Sequence, residues 1–379
     1  MIEPKTVFNA LRSSGIINFC GVPDSLLKNI CSYITDHTTQ DEHLITANEG
    51  SAVAYAAGQF IATSKPSFVY MQNSGFGNAI NPLLSLADLN VYSIPMIIMI
   101  GWRGEPGFKD EPQHIKQGEV MEGLLSVCDL PAMVVDSQTR DIESVVKSAV
   151  DKAVSENRPI VLLVRKGAFA PYSLQKVLPN INKITRENAI QEIVKSSHEN
   201  DIFISTTGMA SRELFELRVI NKESHRNDFL TVGSMGHANM IALGIAGNTD
   251  RHVYCIDGDG SSLMHLGNLS SIGQSGAKNL IHIVLNNAAH DSVGGQPTCA
   301  NEIDLTSIAL ACGYSSSVSV SNIDEINNFI ELFKCHAGPH FLEVKVKKGS
   351  RADLGRPTST PIQNKKALMK TLRSIDGIL

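Results

Sequence analysis

The sequence has 379 residues, of which 42% are hydrophobic and 19% are charged, which is the composition of an ordinary globular protein. Its formal net charge of −5 excludes the strongly basic surface of nucleic-acid-binding proteins, so an anionic ligand would need a local cluster of positive charge. The length is consistent with two domains of about 180 residues each.

Strands and helices alternate along the first half. The amino terminus, MIEPKTVFNALRSSG, predicts the start of an amphipathic helix rather than a signal peptide. Six apolar runs predict strands: INFCGVP, LITA, SFVYMQ, IPMIIMIG, AMVVD and PIVLLVR. Helical segments such as SLLKNICSYI and DIESVVKSAVDKAV lie between them. Apolar strands joined by helices predict a parallel sheet that is covered on both faces.

The second half repeats this architecture. Five runs predict its strands: DIFISTTG, FLTVG, HVYCIDGDG, LIHIVLNN and HFLEVKV. Between the halves, residues 170–185 carry prolines and asparagines without periodicity, and Thr185 is placed to cap the next helix, with Glu187 in its first turn. We therefore predict an α/β protein with two doubly wound parallel-sheet domains, residues 1–175 and 183–379.

The cysteines indicate a reducing compartment. There are seven, an odd number, without a C-x-x-C pair, and several lie in apolar runs, as is typical of buried free thiols. The longest apolar stretch, IPMIIMIG, is too short to span a bilayer. We expect a cytoplasmic protein whose partners include neither membrane nor nucleic acid.

The stretch VYCIDGDGSSLMHLGNLSS ends a predicted strand in two aspartates that alternate with glycines. Ligands of parallel α/β sheets bind at the carboxyl ends of strands, and glycines there let backbone N–H groups approach a phosphate. A dinucleotide-binding loop would need a third glycine where Leu263 stands, and Asp259 would repel a bare pyrophosphate. A tight turn without a ligand is a second interpretation.

The third interpretation is a metal-bridged diphosphate, in which Asp259 holds a divalent cation that neutralises the phosphates. Magnesium needs about six hard oxygen ligands, so a second protein ligand should come from a neighbouring strand end. The next predicted strand, LIHIVLNN, ends in Asn286 and Asn287 after one intervening helix. We expect the two strand ends to be adjacent.

The motif GDG, followed after 25 residues by NN, resembles the thiamin diphosphate motif. The resemblance implies that Asp259, the Asn287 side chain and the Ala289 carbonyl coordinate Mg²⁺. It also implies that the turn contacts the cofactor through Gly258, Gly260 and Ser261.

Thiamin diphosphate enzymes also need a carboxylic acid that hydrogen-bonds the cofactor nitrogen N1′ and so promotes removal of the C2 proton. LITANEGSAVAYAAGQF places Glu49 between a predicted strand and helix, and N-E-G-x-A-V-A is similar to the pyrimidine-domain motif of decarboxylase-like thiamin enzymes. In isolation, a glutamate in a first helical turn is explained by the helix dipole. Together with the GDG–NN motif, the resemblance implies that Glu49 is catalytic and binds the cofactor.

Two further stretches resemble cofactor-binding loops. VGSMGHANMIALGIA resembles the loop in which an apolar residue separates the two cofactor rings; Met235 matches that residue and Ser234 precedes it. The alternative for Met235 is a gap-filler in the core. STTGMASRE resembles a loop on the diphosphate side, through Thr207 and Gly208.

Larger 2-oxo acid decarboxylases carry a middle domain, for which this chain has no room. The compact order resembles the phosphonopyruvate and sulfopyruvate decarboxylases, and stretches along the whole chain are most similar to the phosphonopyruvate family. They are FCGVPDSLLK, QNSGFGNAINPL, GWRGEPGFKDEPQH, TTGMASREL, VGSMGHA, NNAAHDSVGGQPT and KGSRADLGRPT. One departure is Ala288, where the family tends to have glycine.

This resemblance implies the thiamin diphosphate-binding fold and Mg²⁺-dependent, non-oxidative decarboxylation of 3-phosphonopyruvate to phosphonoacetaldehyde and CO2, in phosphonate biosynthesis. Such a carboxy-lyase needs Arg or Lys for the phosphonate. Arg103 follows a strand at its ligand-facing end, and Lys109 and His114 lie in a candidate lid loop. Arg351 near the carboxyl terminus is a further candidate. For each, a solvated surface position is the alternative.

Two other residues keep two interpretations each. Asp24, in GVPDSLL, follows a predicted strand and is either a helix N-cap or a proton-transfer group. His290 follows the predicted metal turn and either orients the substrate and relays a proton or is structural.

Alternative functions remain. A sulfopyruvate decarboxylase differs only in the anionic headgroup of its substrate, whereas another 2-oxo acid decarboxylase or a carboligase is less compatible with the missing middle domain. A cofactor-binding regulatory protein or an inactive homologue is argued against by the joint presence of Glu49, Asp259 and Asn287. In such enzymes the cofactor lies between the pyrimidine domain of one subunit and the diphosphate domain of another, which implies a homodimer or a larger oligomer.

Overall fold

Each predicted half forms a six-stranded parallel sheet in the computed structural model, which describes residues 1–176 and 179–375, without the Ile375 side chain. Unit 1 comprises residues 1–176 together with Ser292–Gln296, and unit 2 comprises residues 179–291 and 297–375. The predicted domain borders at 175 and 183 stay predictions.

Unit 1 has the sheet order β2-β1-β3-β4-β6-β5. Its strands are β1 (Phe19–Gly21), β2 (His43–Ile45), β3 (Ser67–Gln72), β4 (Met96–Gly101), β5 (Ala132–Val135) and β6 (Pro159–Val164). Its helices are α1 (Pro4–Ser13), α2 (Lys28–His37), α3 (Glu49–Thr63), α4 (Phe76–Pro82), α5 (Pro112–Val127) and α6 (Ile142–Glu156).

Unit 2 has the sheet order β11-β12-β10-β9-β7-β8. Its strands are β7 (Ile202–Ser205), β8 (Asp228–Leu230), β9 (Val253–Gly258), β10 (Leu280–Asn286), β11 (Ser316–Val320) and β12 (His340–Lys345). Its helices are α7 (Arg186–Lys195), α8 (Met209–Ile220), α9 (Ala238–Ala246), α10 (Asp259–Met264), α11 (Asn268–Gln274), α12 (Leu305–Cys312), α13 (Ile323–Lys334) and α14 (Pro361–Ile375).

The predicted fold class, two doubly wound parallel sheets without a middle domain, is confirmed. Counted from its own first strand, each sheet has the same order, 2-1-3-4-6-5. The central strand β4 is apolar because helices cover both faces of its sheet: Ile97 and Met99 belong to one apolar cluster, and Met96, Ile98 and Ile100 belong to the other. All eleven predicted strands are present.

The strand β11 was not predicted. Its sequence, SSVSV, is mostly serine, and it lies at the edge of the unit 2 sheet with most of its residues partly exposed. An edge strand is buried on fewer sides, so it does not need an apolar run. The predicted cap at the start of α7 is confirmed, since Thr185 Oγ1 accepts a hydrogen bond from Asn188 N at 3.1 Å.

The strand order reverses beside the first strand of each sheet, between β1 and β3 in unit 1 and between β7 and β9 in unit 2. Ligands of open α/β sheets bind at the carboxyl edge near such a reversal. This edge is therefore where each unit is searched for functional side chains. Within the described residues, no helix is long and apolar enough to cross a membrane.

Candidate active site

Glu49 begins α3 in unit 1 but is only 4% exposed, so it is not a surface residue that merely complements the helix dipole. The cap of this helix is Asn48, whose side chain accepts from Ser51 N at 2.9 Å. Asn78 Nδ2 donates to Glu49 Oε2 at 2.8 Å. Burial raises the pKa of Glu49, although the hydrogen bond from Asn78 opposes this. A carboxyl group with a raised pKa stays protonated more readily, and in that form it can donate a hydrogen bond to a ring nitrogen.

Gly75 closes one side of the Glu49 carboxyl group. A Cβ atom at this position would lie 2.0 Å from Glu49 Oε1, so no larger residue fits without displacing the carboxyl group. Gly75 and Asn78 both lie in QNSGFGNAINPL, which was identified by resemblance, but the sequence did not indicate that they contact Glu49.

Asn73 connects the carboxyl ends of β3 and β4. Its Nδ2 donates to Arg103 O at 2.8 Å, and its Oδ1 accepts from Arg103 N at 3.1 Å. Because Asn73 precedes Gly75 by two residues, Arg103 and Glu49 lie on the same edge of the sheet. The structure thus brings together the predicted catalytic acid and the first candidate for anion binding.

The Arg103 side chain is only 18% exposed and is engaged by other groups, so it is not a solvated surface charge. Its Nε donates to Asp110 Oδ2 at 2.8 Å, and its Nη1 donates to Ser25 Oγ at 2.7 Å. Asp110 also accepts from the backbone N–H groups of Gly104 and Glu111, at 2.9 and 2.8 Å. A carboxylate already occupies this set of donors, so an anionic ligand would compete with Asp110.

The other two candidates of this loop differ in environment. Lys109 is exposed. His114 is buried in α5, and its Nδ1 has no hydrogen-bond partner among the described residues. Burial, together with the nearby Arg103 charge, lowers the pKa of His114 to about 4, so its imidazole is neutral at physiological pH.

Asp24 follows β1 and is buried. Its Oδ2 accepts hydrogen bonds from Leu26 N and Leu27 N, at 3.0 and 3.2 Å. Asp24 therefore caps the turn that leads to α2, although the N-cap position of the helix itself is Leu27. Burial raises the pKa of Asp24 to about 6, against the effect of these N–H groups and of Arg103. Asp24 therefore combines a capping role with the properties of a titratable group.

In unit 2, β9 and β10 are neighbours, and Gly258 is paired with Leu285. The prediction that the GDG and NN strand ends are adjacent is therefore confirmed. Asp259, the first residue of α10, is buried and accepts a hydrogen bond from Thr298 Oγ1 at 2.5 Å. Burial raises the pKa of Asp259 to about 6, despite this hydrogen bond.

The two asparagines have different surroundings. Asn286 is fully buried and its Nδ2 donates to Glu343 Oε1 on β12 at 2.7 Å, which ties two strands together. Asn287 Nδ2 donates to Asp291 Oδ2 at 2.6 Å, and its Oδ1 accepts from Ala289 N at 3.0 Å. Asn286 therefore has a structural role, and Asn287 belongs to the turn that was predicted to bind metal.

The residues of this turn fit a magnesium ion. Asp259, Asn287 and Ala289 offer a carboxylate, an amide oxygen and a carbonyl oxygen, which are hard donors of the type that Mg²⁺ prefers. Thr298 links the two parts of the turn, because its hydroxyl bonds Asp259 and its N donates to Ala288 O at 3.1 Å. Thr298 lies in the family-like stretch NNAAHDSVGGQPT, but the sequence did not indicate this contact.

The loops around the turn fit a diphosphate. Gly208 precedes α8 with φ = +96°, and a Cβ at Gly208 or Gly258 would meet no atom within 4 Å, so the backbone is accessible there. Ser261 Oγ bonds Thr206 Oγ1 at 2.9 Å and accepts from Gly236 N at 3.0 Å, joining three loops. The sequence indicated Thr207 in this loop and missed Thr206, one residue earlier.

Met235 and His290 both lie against the GDG turn. A Cβ at Gly260 would be 3.5 Å from Met235 Cε and 3.1 Å from His290 Cε1. Burial lowers the pKa of His290 to about 4, so it is neutral at physiological pH. Ser234, which precedes Met235, is exposed and has φ = +50°.

Asp257, the other aspartate of the motif, is structural. It is fully buried, its Oδ1 accepts from Gly258 N at 2.9 Å, and its Oδ2 accepts from Ser262 Oγ at 3.0 Å. Together with Cys255 and His282 it forms the one cluster of three His, Cys or carboxylate ligands found among residues 1–176 and 179–375. His282 bonds the Tyr314 hydroxyl at 3.0 Å and Asp257 Oδ2 at 3.4 Å, and the cluster contains neither Asp259 nor Asn287, so it is not the predicted metal site.

Arg351 is surrounded by carboxylates. Its Nε donates to Glu187 Oε1 at 2.6 Å, its Nη1 donates to Asp353 Oδ2 at 3.1 Å, and its Nη2 pairs with Glu216. Its charge is thus compensated within unit 2. These surroundings do not support the prediction that Arg351 binds the substrate headgroup.

Comparison with known proteins decides the family. The N-terminal TPP binding domain of thiamine pyrophosphate enzymes matches residues 5–123, and their C-terminal TPP binding domain matches residues 206–344. The phosphonopyruvate decarboxylase of Streptomyces viridochromogenes is 33% identical over 379 residues, covering 96% of this chain and 93% of the relative. The chain belongs to the phosphonopyruvate decarboxylase family.

Two other relatives extend this result. The phosphonopyruvate decarboxylase of Streptomyces hygroscopicus is 32% identical over 377 residues, covering 95% of this chain and 92% of the relative. The sulfopyruvate decarboxylase of Methanosarcina acetivorans is 27% identical over 390 residues, covering 97% and 96%. As a member of the phosphonopyruvate decarboxylase family, the chain carries both thiamine pyrophosphate-binding domains and aligns with these relatives over nearly its whole length.

Proposed function

We propose that this protein is a thiamin diphosphate- and Mg²⁺-dependent carboxy-lyase that converts 3-phosphonopyruvate into phosphonoacetaldehyde and CO2, a step of phosphonate biosynthesis. The observation that carries the proposal is the buried Glu49 with a raised pKa, in a chain whose relatives of similar length are phosphonopyruvate decarboxylases. A cytoplasmic location belongs to the same proposal.

In this proposal the diphosphate side of the cofactor is held by unit 2. Asp259, the Asn287 amide oxygen and the Ala289 carbonyl would hold Mg²⁺, and the backbone of the glycine-rich loops would bind the diphosphate. Those loops contribute Thr207, Gly208, Ser234, Gly258, Gly260 and Ser261. Met235, which lies against Gly260, separates the two rings of the cofactor. When bound, thiamin diphosphate supplies a thiazolium ring that accepts the electron pair left by CO2.

Glu49 donates a hydrogen bond to the pyrimidine nitrogen of the cofactor. The surroundings of the carboxyl group support this role, because burial raises its pKa, Asn78 orients it and Gly75 leaves space for it. A glutamate at a solvated helix start would be ionised at neutral pH and could not donate.

Arg103 binds the anionic headgroup of the substrate, with Lys109 as a weaker, exposed contributor. Its position on the same edge as Glu49 supports this assignment. The phosphonate replaces Asp110 at the guanidinium group of Arg103. As a dianion, it accepts stronger hydrogen bonds from the same N–H groups than the Asp110 carboxylate does. Pyruvate lacks such a headgroup, so the competition with Asp110 favours acidic substrates.

Three groups are assigned to positioning the substrate and transferring protons. With a pKa near 6, Asp24 exchanges a proton readily near neutral pH. His114 and His290 are neutral, so each can donate one hydrogen bond and accept another. Asp24 and His114 lie in unit 1, and His290 lies beside the GDG turn of unit 2.

We also propose a homodimer or a larger oligomer, in which the pyrimidine-side unit of one subunit and the diphosphate-side unit of another share each cofactor. The location of Glu49 in unit 1 and of Asp259 in unit 2 supports this assembly. A purified, active monomer would overturn it.

The decisive experiment supplies thiamin diphosphate and Mg²⁺ and follows CO2 release from phosphonopyruvate, sulfopyruvate and pyruvate. We expect the highest kcat/KM with phosphonopyruvate. A preference for sulfopyruvate would favour the second candidate function, which the similarity to the M. acetivorans enzyme supports. Turnover of pyruvate at a comparable or higher rate would overturn the substrate assignment.

A further inference from the structure

Two buried arginines of unit 2 are bonded in the same way. Arg186 Nε and Nη2 donate to the two carboxylate oxygens of Glu213, at 2.6 and 2.7 Å, and its Nη1 donates to Asp291 at 3.3 Å. Arg218 Nη2 and Nε donate to the two oxygens of Asp228, at 3.0 and 3.2 Å, and its Nη1 donates to Glu223 at 2.7 Å. Each arginine thus holds one carboxylate with two hydrogen bonds and a second carboxylate with one.

The two clusters differ in what the second carboxylate contacts. Glu223 is 39% exposed and accepts one further hydrogen bond, from the exposed Asn221 side chain at 3.2 Å. Asp291 is only 14% exposed, and the oxygen that faces Arg186 also accepts from Asn287 Nδ2 at 2.6 Å and from Gly349 N at 2.8 Å. The Arg186 cluster therefore ends on the side chain that the proposed function assigns to Mg²⁺.

This contact determines which end of the Asn287 amide faces which neighbour. An amide has one donating nitrogen and one accepting oxygen, and only the oxygen can coordinate a cation. Asp291 Oδ2 accepts from the amide nitrogen, which leaves the amide oxygen on the other side of the group. That oxygen accepts one hydrogen bond, from Ala289 N, which leaves one lone pair for a metal.

Arg186 stabilises the Asp291 carboxylate that orients the Asn287 amide. A carboxylate at this depth would be costly without a positive partner, and Arg186, which is itself 7% exposed, supplies one. Glu213 holds the guanidinium plane through two hydrogen bonds, so the orientation of Arg186 is determined by α8 rather than by solvent.

We propose that Asp291, supported by Arg186 and Glu213, is a positioning residue that orients Asn287 toward the magnesium ion. This inference rests on the proposed function, because it takes Asn287 as a metal ligand. Groups that orient metal ligands typically contribute about 10- to 100-fold to metal affinity. The sequence did not indicate this relation, since Arg186 and Asp291 are 105 positions apart.

The test measures Mg²⁺ binding by equilibrium dialysis at a fixed, saturating concentration of thiamin diphosphate, without substrate. We expect Asp291→Asn to weaken Mg²⁺ binding about 10- to 100-fold and kcat at saturating Mg²⁺ to stay close to that of the wild type. Glu223→Gln is the matched control, because it removes the corresponding carboxylate from the Arg218 cluster. Its Mg²⁺ affinity should equal that of the wild type.

Glu213→Gln gives a second variant that does not alter the metal loop. It should weaken Mg²⁺ binding to a smaller extent, because Arg186 loses part of its support but Asp291 remains. Unchanged affinity in both Asp291→Asn and Glu213→Gln would overturn the inference, as would an equal loss in Glu223→Gln. If Asp291→Asn does not fold, Glu213→Gln alone decides between these outcomes.

The same measurement separates this inference from the proposed function. Mg²⁺ binding does not involve the 2-oxo acid, so an incorrect substrate assignment leaves the expected result unchanged. Asn287→Ala should weaken Mg²⁺ binding at least as strongly as Asp291→Asn. If Asn287→Ala binds Mg²⁺ like the wild type, the metal site is elsewhere and the inference fails with it.

Discussion

Asp24 and Asp259 lie at the carboxyl edges of two sheets with the same strand order, and burial raises the pKa of each to about 6. Their partners differ. Asp24 accepts hydrogen bonds from two backbone N–H groups beside the Arg103 guanidinium. Asp259 instead accepts a hydrogen bond from the Thr298 hydroxyl, and the neighbouring strand end carries Asn287. One fold thus presents a guanidinium group among carboxyl groups at the edge of unit 1 and, among the described residues of unit 2, oxygen donors without a neighbouring arginine side chain at Asp259.

This comparison shows that two sheets with the same strand order can carry different side chains at their carboxyl edges. The carboxyl edge of a parallel sheet collects the loop residues of all its strands, so a few substitutions change its ligand preference while the core stays the same. Unit 1 suits a proton donor and an anion, and unit 2 suits a cation and its diphosphate. The following predictions test that division.

The largest effects are expected where each edge loses its central acid. Glu49→Gln and Asp259→Asn should each lower kcat by about 10³-fold or more, since the proposed function assigns the hydrogen bond to the cofactor to Glu49 and a metal ligand to Asp259. Mixing the two inactive proteins should restore activity if the edges of different subunits cooperate. The measurement is CO2 release after the subunits have been allowed to exchange.

Mixing Glu49→Gln with itself is the control for this complementation and should restore nothing. In a mixed dimer, one of the two shared sites carries both substitutions and the other carries neither. Recovery beyond half of the wild-type activity, or none after proven exchange, would contradict the proposed arrangement.

Arg103→Ala should raise KM for phosphonopyruvate about 10- to 100-fold, because one charge-assisted contact contributes roughly 1.5–3 kcal/mol. The double variant with Asp110→Asn controls for an unpaired Asp110 carboxylate and should show the same increase. Arg351→Gln, whose arginine is already bonded to carboxylates, should change KM little. An equal rise in KM for pyruvate would show that Arg103 does not bind the phosphonate headgroup of the substrate.

Lowering the pH should weaken Mg²⁺ binding, whereas protonation of Asp24 and Asp259 should contribute stability to the metal-free protein. Mg²⁺ binding needs ionised Asp259, so its affinity should fall about tenfold per pH unit below a pKa of about 6. Without metal, Asp24 and Asp259 each bind a proton more strongly in the folded state than in the unfolded state between pH about 4, the ordinary Asp value, and pH about 6. Their contribution to the free energy of unfolding of the metal-free protein should therefore fall as the pH rises through this window, whereas His114 and His290, whose pKa values burial lowers to about 4, contribute in the opposite direction.

Urea unfolding at pH 4.5 and pH 7 measures this effect. Asp24→Asn and Asp259→Asn should each remove the contribution of that carboxyl group to the difference in the free energy of unfolding between the two pH values in the metal-free protein. With Mg²⁺ and thiamin diphosphate, the contribution of Asp259 should disappear and that of Asp24 should remain. The same dependence in both variants as in the wild type would mean that these two groups are not buried as described.

The smallest effect concerns the turn between Asn287 and Ala289. Ala288 has φ = +53°, a left-handed conformation that costs a non-glycine residue about 1 kcal/mol. Ala288→Gly should therefore raise the free energy of unfolding by roughly 0.5–1 kcal/mol. Ala149→Gly, in the helix α6, should lower it instead. Destabilisation by Ala288→Gly would show that the alanine side chain contributes packing that outweighs its backbone strain.

Local patterns were sufficient for most of the fold. Apolar runs identified eleven of the strands, including the edge strands β2, β5 and β8. The strand β11 was missed because its sequence, SSVSV, is mostly serine, and a partly exposed edge does not require an apolar run. Thr185 was identified as a cap because its partner, Asn188, is three residues away. Signals of this kind depend on neighbours in the sequence.

Part of the candidate site could also be predicted from the sequence. The spacing of GDG and NN predicted two adjacent strand ends, and the pairing of Gly258 with Leu285 confirms it. The sequence did not distinguish Asn286 from Asn287. Successive residues of a strand point to opposite faces, and only the structure decides that Asn286 meets Glu343 while Asn287 meets Asp291.

By itself, the sequence determined the alternation of strands and helices, the two-sheet architecture and the loops that carry Glu49, Asp259 and Arg103. Tertiary structure alone decided the partners of these groups: Asn78 for Glu49, Thr298 for Asp259, Asp110 for Arg103, and Arg186 for Asp291. The physical reason is that burial and hydrogen bonding set the charge and orientation of a side chain. Both depend on residues that folding brings together from distant positions in the chain.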